Sequence, residues 1–292
     1  MNEAQNIAAL RSLATHPAAR GLQDDVAVLE VGSETLVLTH DMMVEGVHFL
    51  PSQDRADVAW KLVATNLSDL AAKGAVPLGV LVGQMLGSGD ARFIAGLDEA
   101  LAHYGTPLLG GDTVSAADGA QAFGLTAIGR ASYTPVPSRA GAKPGDILCV
   151  TGPVGAAMMG FEALRDGTGG DSLAYRRPAA LLREGQALAP HASAMMDVSD
   201  GLLLDAWRMG KASSVTLMIE SAAVPLAAPE HRRQDALRWG DDYQLLFTAP
   251  PDAALPMPAH RIGEVRERQG APLMLDGREL GDPATLGYQH GG

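Results

Sequence analysis

Aspartates recur along this chain beside apolar runs: Asp25 ahead of VAVLEV, Asp41 after LVLTH, Asp69 in a helical stretch, Asp112 after PLLGG, Asp197 closing AMMD, Asp241 ahead of DYQLLF. Short apolar runs bounded by turn residues read as strands. A carboxylate at the carboxyl end of a strand stands where α/β proteins collect their ligands. Singly, each acid has a plain explanation: Asp24 and Asp25 as a solvated pair, Asp41 as a turn cap, Asp200 as a helix cap. Together they pose an electrostatic problem. Two unit charges ~4 Å apart repel by ~4 kcal/mol at an effective dielectric of ~20, so acids that converge need positive charge. Hard oxygen donors suit a hard divalent cation, and Mg2+ on few carboxylates completes its shell with water and substrate phosphates. The chemistry this points to is phosphoryl transfer, where positioning and charge neutralisation carry the catalysis.

The elements that must position these acids follow from periodicity. A short amphipathic helix is expected over 2–14 and a strand at 26–31. The strand 36–38 runs into a polar turn, Thr39-His40-Asp41, with His48 beyond it between Val47 and Phe49. Asp54 or Asp57 caps a helix running to Lys73, which suits the helix dipole, and Gly74 stops it. At 100° per residue, Val58, Ala59, Leu62, Val63 and Leu70 form one apolar arc, with Asn66 inside it and Asp69 at its edge. A carboxylate there needs a basic group or a metal. Then follow a strand over 76–86, a helix over 91–104, and a strand over 107–109 ending in Gly110-Gly111-Asp112-Thr113. Those two glycines would let backbone approach a ligand. A further strand is expected at 122–130.

The segment 131–145 is rich in Pro, Gly and Ser and carries Arg139 and Lys143, so the chain divides into 1–135 and 136–292. Beyond it, a strand over 146–151 leads through Gly152-Pro153-Val154-Gly155 into a helix over 156–165, an arrangement able to hold an anion. A strand over 194–198 meets Ser199 as N-cap of a helix over 200–209. Trp239-Gly240-Asp241-Asp242-Tyr243 precedes a strand over 244–248.

Composition narrows the class. At ~150 residues per domain, 292 residues suggest two domains, and 47% apolar content is enough to give each a core. A net charge of −12 argues against a bulk surface that grips nucleic acid. The lone Cys149 sits in ILCV as a buried bystander thiol, as a reducing compartment allows. No apolar run approaches the ~18 residues of a membrane span. The first residues carry an acid and no basic region ahead of an apolar core. A cytoplasmic protein is expected. CxxC pairs, HExxH, GxSxG and a Walker A loop are absent.

In order from residue 24 to residue 247, DDVAVL, LTHDMMVEGVHF, ATNLSDLAAKGA, GGDT, SRAGAKPGD, MDVSDGL and GDDYQLLF resemble the thiamine-monophosphate kinase family. That family lies within the superfamily of aminoimidazole ribonucleotide synthetase and selenophosphate synthetase. The resemblance implies a two-domain α/β (α+β) fold of the aminoimidazole ribonucleotide synthetase type. Its N-terminal mixed sheet pairs across a homodimer, and an α/β C-terminal domain completes the active site. It implies transfer of the ATP γ-phosphate to thiamine monophosphate, with several Mg2+ ions. By motif, Asp25, Thr39, His40, Asp41, Asp69, Asp112, Asp197 and Asp200 fall at magnesium positions. Tyr104, Gly111, Asp112, Arg139 and Ser199 fall at ATP positions, and His48 and Asp241 at substrate positions. Asp69, Asp112 and Asp200 stand as the catalytic acids. The chain departs from the family pattern in four places. Gln23 precedes the first Asp pair where the family has Gly. His40 replaces Thr, Asp241 replaces the longer Glu, and Thr285 takes an aromatic position, with Tyr288 nearby.

The acceptor in such a reaction is a phosphate oxygen with a second pKa of ~6. It is ionised at neutral pH and needs no general base, so direct in-line transfer without a phosphoenzyme is expected. Two alternatives stand beside this reading. One is a sister enzyme using another acceptor, against which GVHF and GDDYQLLF weigh. The other is a catalytically silent, metal-stabilised dimer, against which the full acidic set weighs.

Overall fold

The structure, a computed structural model, describes residues 3–115 and 119–290. After a short helix α1 (Glu3–Arg11), the N-terminal half builds five strands: β1 (Ala27–Val31), β2 (Glu34–Val44), β3 (Ala75–Leu86), β4 (Leu108–Ser115) and β5 (Ala122–Ala131). They form one mixed sheet in the order β1-β2-β5-β3-β4, in which only β3 and β4 run parallel. Alternation along β2 and β5 sends Val37, Met43, Phe123, Leu125 and Ala127 to one face. The helices α2 (Arg55–Ala71) and α3 (Asp90–Tyr104) lie against that face.

α2 begins where Asp54 accepts from the Ala56 N–H at 2.9 Å. The expected apolar arc is there, with Val58, Leu62, Val63 and Leu70 fully buried. The helix is not amphipathic, however: every residue in it except Trp60 is buried. The reason lies in the second half of the chain, which covers the side the sheet leaves bare. That half carries strands β6 (Ile147–Val150), β7 (Ala194–Asp197), β8 (Val215–Ile219), β9 (Leu245–Ala249), β10 (His260–Glu267), β11 (Leu273–Leu275) and β12 (Arg278–Leu280). They form a seven-stranded, largely antiparallel sheet in the order β12-β11-β8-β10-β6-β9-β7. Its helices are α4 (Ala156–Arg165), α5 (Leu173–Arg176), α6 (Leu182–Leu188), α7 (Leu202–Ala212) and α8 (Arg233–Ala236). Ala71 and Ala72 at the end of α2 join Leu188, Met195 and Phe247 in one apolar cluster, so α2 is a shared wall between the halves. Burying each of its leucines contributes roughly 1.5–3 kcal/mol relative to exposure.

Two strands are longer than expected. Thr39-His40-Asp41 is no turn: β2 stays paired with β5 as far as Val44 opposite Ala122. Gly110-Gly111-Asp112-Thr113 does not follow a strand but lies within β4, which pairs with β3 through Ser115. Gly111 is needed there for packing, since a Cβ would sit 1.9 Å from the Val82 carbonyl oxygen on β3. The other face of this sheet has no helix on it among the described residues and exposes Met42, Leu81 and Val114.

Candidate active site

α2 sets the site along its length. Lys61, Thr65 and Asp69 recur every fourth residue, a spacing that winds only ~40° per step and covers ~12 Å along the axis, and Lys73 follows just past the helix end. This polar stripe faces a cleft between the halves. At its carboxyl end, Asp25, Asp69 and Asp197 bring carboxylate oxygens within 4.8 Å of one another. Asp25 precedes β1, Asp69 comes from the last turn of α2, and Asp197 closes β7, so both halves contribute. The Thr39 hydroxyl on β2 donates to Asp69 at 2.5 Å, and the Ser68 hydroxyl donates to Asp197 at 2.6 Å. Asn66, which the helical arc placed among apolar residues, accepts from the Asp41 N–H at 2.9 Å.

The electrostatics of this pocket are uneven. Burial raises Asp69 well above the usual carboxylate range, and the charges of Asp41, Asp197 and Asp25 push it further. Burial and then Asp25 bring Asp197 to about 8. Burial, Asp25 and Asp200 bring Asp41 to about 6. Asp24 and Asp25 go the other way. Burial would raise both, but Lys73 and Arg20 hold Asp24 low, while Arg139 and Lys73 hold Asp25 low. Lys73 Nζ is 2.6 Å from Asp24 and 2.9 Å from Asp25, and Arg139 pairs with Asp25. The donor set suits Mg2+: hard oxygens only, on three crowded acids, Asp41, Asp69 and Asp197, whose ionised forms a divalent ion would stabilise. Ser199, Asp200 and Arg208 complete this pocket of about 190 Å³.

It opens, through Asp41, Ser199, Asp200 and Tyr243, into a cavity of about 900 Å³. His48 and Asp241 line that cavity with Phe161, Tyr175, Trp239 and Tyr288. Asp241 accepts from Lys61 Nζ at 2.7 Å and from the Tyr243 hydroxyl at 2.9 Å. Lys61 is almost wholly buried, reaches the His48 carbonyl at 3.3 Å and stands 4.0 Å over the Tyr175 ring. Burial lowers the His48 imidazole, whose Nδ1 accepts from the Val44 N–H at 3.0 Å. The chain's last described residues fold back here: the Tyr288 N–H donates to the Asp200 carbonyl at 2.9 Å, and His290 lies 5.2 Å from His48. This volume suits a ligand with an aromatic body and a polar end.

Of the residues singled out in the sequence, Asp25, Thr39, Asp41, Asp69, Arg139, Asp197, Ser199 and Asp200 gather around the smaller pocket. Four stand apart within a single chain. His40 projects from the sheet's open face to Thr126, 2.9 Å away. Gly111 and Asp112 lie on the exposed edge strand β4. Gly111 is opposite Val82, which is opposite Leu125 and then Asp41, a separation of about 14 Å at ~4.8 Å per strand. Tyr104 ends α3, where its hydroxyl accepts from the Ala180 N–H at 3.0 Å.

Three local expectations change. Ser199 does not cap the following helix, which starts at Leu202. Asp205 inside it reaches back to accept from the Ser199 and Asp200 N–H groups at 3.1 and 3.0 Å. The N-terminus of α4 is closed to an outside anion because the Asp242 carboxylate accepts from the Gly155 N–H at 2.7 Å. Lys73 lies beyond the end of α2 and serves the acids rather than the helix dipole. Thr285 is absent from the cavity lining, and Tyr288 and Trp239 supply aromatic surface instead. Sequence reasoning passed over Lys61, Arg208, Tyr175 and Tyr243; for Lys61 the fourfold polar spacing within α2 was the available signal. Cys149 is buried, and burial pushes its thiol up to about 11, as befits a bystander.

Residues 23–131 match the AIR synthase related protein N-terminal domain, and 143–275 match the corresponding C-terminal domain. The thiamine-monophosphate kinase of Caulobacter vibrioides is 37% identical over 305 residues, covering 94% of this chain and 86% of its own. That of Escherichia coli K12 is 35% identical, covering 92% and 91%. The solved structure of AaThiL complexed with AMPPCP and TMP superposes with a TM-score of 0.88 at 29% identity, covering 99% of this chain and 97% of that one. No helix among the described residues is long and apolar enough to cross a membrane. With this identity spread over both halves, and a two-sheet fold that matches a solved relative along nearly its whole length, the chain belongs to the thiamine-monophosphate kinase family.

Proposed function

We propose that this chain transfers the γ-phosphoryl group of ATP to the phosphate of thiamine monophosphate, giving thiamine diphosphate and ADP. The observation that carries the reading is the junction of two pockets. An oxygen-only acidic cluster opens directly into a cavity of about 900 Å³ lined by His48, Asp241 and aromatic rings. Asp25, Asp41, Asp69 and Asp197 would hold Mg2+, with Asp200 and Thr39 beside them. Bound there, several Mg2+ ions would offset the repulsion between the two phosphates and draw charge from the transferring group. Arg139 and Ser199 flank the nucleotide's phosphates. His48 and Asp241 orient the thiamine end, Asp241 drawing on Lys61 for its position. The acceptor oxygen is ionised near neutral pH, so no protein base is assigned and the transfer is direct and in line.

The reading includes a homodimer formed through the open face of the N-terminal sheet, with the halves dividing at 135/136. Gly111, Asp112, His40 and Tyr104 keep their nucleotide and metal roles in it. Pairing of two sheets is the step that would bring His40, Gly111 and Asp112 to a cleft, while Tyr104, on the covered side of the sheet, takes its nucleotide role from the family motif.

Purified protein with ATP, Mg2+ and thiamine monophosphate should yield thiamine diphosphate by mass. Asp69→Asn should lose at least about a hundredfold in kcat, in keeping with removal of a group that stabilises transition-state charge, while its circular dichroism stays unchanged. Full activity in that variant would remove Asp69 from the mechanism. A stable phosphoprotein trapped from labelled ATP would exclude direct transfer.

A further inference from the structure

The acids of the smaller pocket differ in what neutralises them. Asp69 and Asp197 are held by the neutral hydroxyls of Thr39 and Ser68. Asp24 and Asp25 instead meet Arg20, Lys73 and Arg139. Lys73 differs from the two arginines in its setting. Its side chain has no exposure, and its ammonium sits among three oxygens: Asp24 Oδ1 at 2.6 Å, Asp25 Oδ2 at 2.9 Å and the Met195 carbonyl at 3.0 Å. An ammonium has three donors, so every proton is directed at an oxygen, as an ion would be by its ligands. Met195 lies on β7, two residues before Asp197. One side chain thus ties the approach to β1, the end of α2 and the strand that carries a metal-facing acid.

Resting on the Mg2+ reading above, the geometry points to Lys73 as a resident cation of the metal centre. It occupies the space between Asp24 and Asp25 that a divalent ion would otherwise take, and confines Mg2+ to the side of Asp25 that faces Asp69 and Asp197. The acidic cluster of this chain is therefore part-neutralised before any metal arrives. Lys73 is a positioning residue: it acts on the reaction through Asp25 and the ions, not by touching substrate.

Lys73→Met keeps an unbranched side chain, one atom shorter, and removes the charge. Thermal unfolding of full-length wild type and variant is followed across a Mg2+ titration, and Mg2+ binding to both is measured calorimetrically. The variant's deficit in Tm should be largest without Mg2+ and shrink as Mg2+ saturates. Its Mg2+ affinity should rise by about tenfold or more, since a positive charge in contact with Asp25 is gone. A deficit that stays constant at every Mg2+ concentration makes Lys73 a packing strut and overturns the inference. So does a variant that stays unfolded at saturating Mg2+. In both cases wild type still binds Mg2+, which keeps the metal reading intact. A wild type that neither binds Mg2+ nor is stabilised by it overturns both.

Discussion

Both oxygens of Asp241 are engaged, one by the Lys61 ammonium and one by the Tyr243 hydroxyl. An acid one methylene shorter than the family's Glu is thereby held at a fixed point on the cavity wall. Lys61 itself is fixed by burial and by the Tyr175 ring. Replacing it with Met keeps the packing and frees Asp241 to turn toward solvent. Lys61→Met should therefore raise KM for thiamine monophosphate by about tenfold, a loss of ~1.4 kcal/mol in substrate binding, with kcat little changed. Steady-state kinetics on both substrates check this, and a loss confined to kcat would move Lys61 into the chemical step. The case also shows what was legible one residue at a time. Asp69 could be read from the edge of an apolar helical arc, because a lone buried carboxylate is anomalous by itself. Lys61 and Lys73 could not, because a lysine in a helix reads as solvent-facing or as a dipole partner. Only the acids brought in from the approach to β1 and from the 239–243 segment make them internal.

At the scale of elements, the same limit decides strand lengths. Thr39, His40 and Asp41 look like a turn by type, yet they stay extended because β5 supplies ladder partners for each of them. The pairing spans more than eighty residues of sequence, and nothing local announces it. α2 was legible in its position and cap, but its all-round burial depends on a second domain that a helical wheel cannot show. Helix α6 makes the closest part of that contact. A Cβ on Gly185 would lie 1.9 Å from the Ala71 carbonyl oxygen, with backbone rather than a flexible side chain in the way. Gly185→Ala should then force α6 off α2 and cost about 1–3 kcal/mol, read as a lower urea midpoint. Because α2 carries Asp69 while the adjoining β7 carries Asp197, the same variant should also weaken Mg2+ binding. An unchanged midpoint would show that the two halves do not depend on this contact.

The whole molecule leaves one large surface unexplained by its own packing. Leu81, Met42 and Val114 are 39%, 54% and 52% exposed on the face of the N-terminal sheet opposite α2 and α3. Asp112 projects from that same face, since Gly83, opposite it on β3, is itself opposite Gly124 and then Met42. Exposed apolar side chains on an uncovered sheet face invite a partner, and a sheet meeting its own copy across a twofold axis satisfies both chains at once. The proposed homodimer uses this face, and Leu81 lies near its middle, on β3 between β5 and β4. Leu81→Glu places like charges face to face at the axis without touching either pocket. Wild type should sediment at twice the chain mass, and the variant at the chain mass with native circular dichroism. If Gly111 and Asp112 serve nucleotide only in the pair, the monomeric variant should also lose kinase activity while retaining Mg2+ binding at Asp25, Asp69 and Asp197. A monomeric wild type with full turnover would show that one chain's cleft suffices, and would strip those two residues of their role.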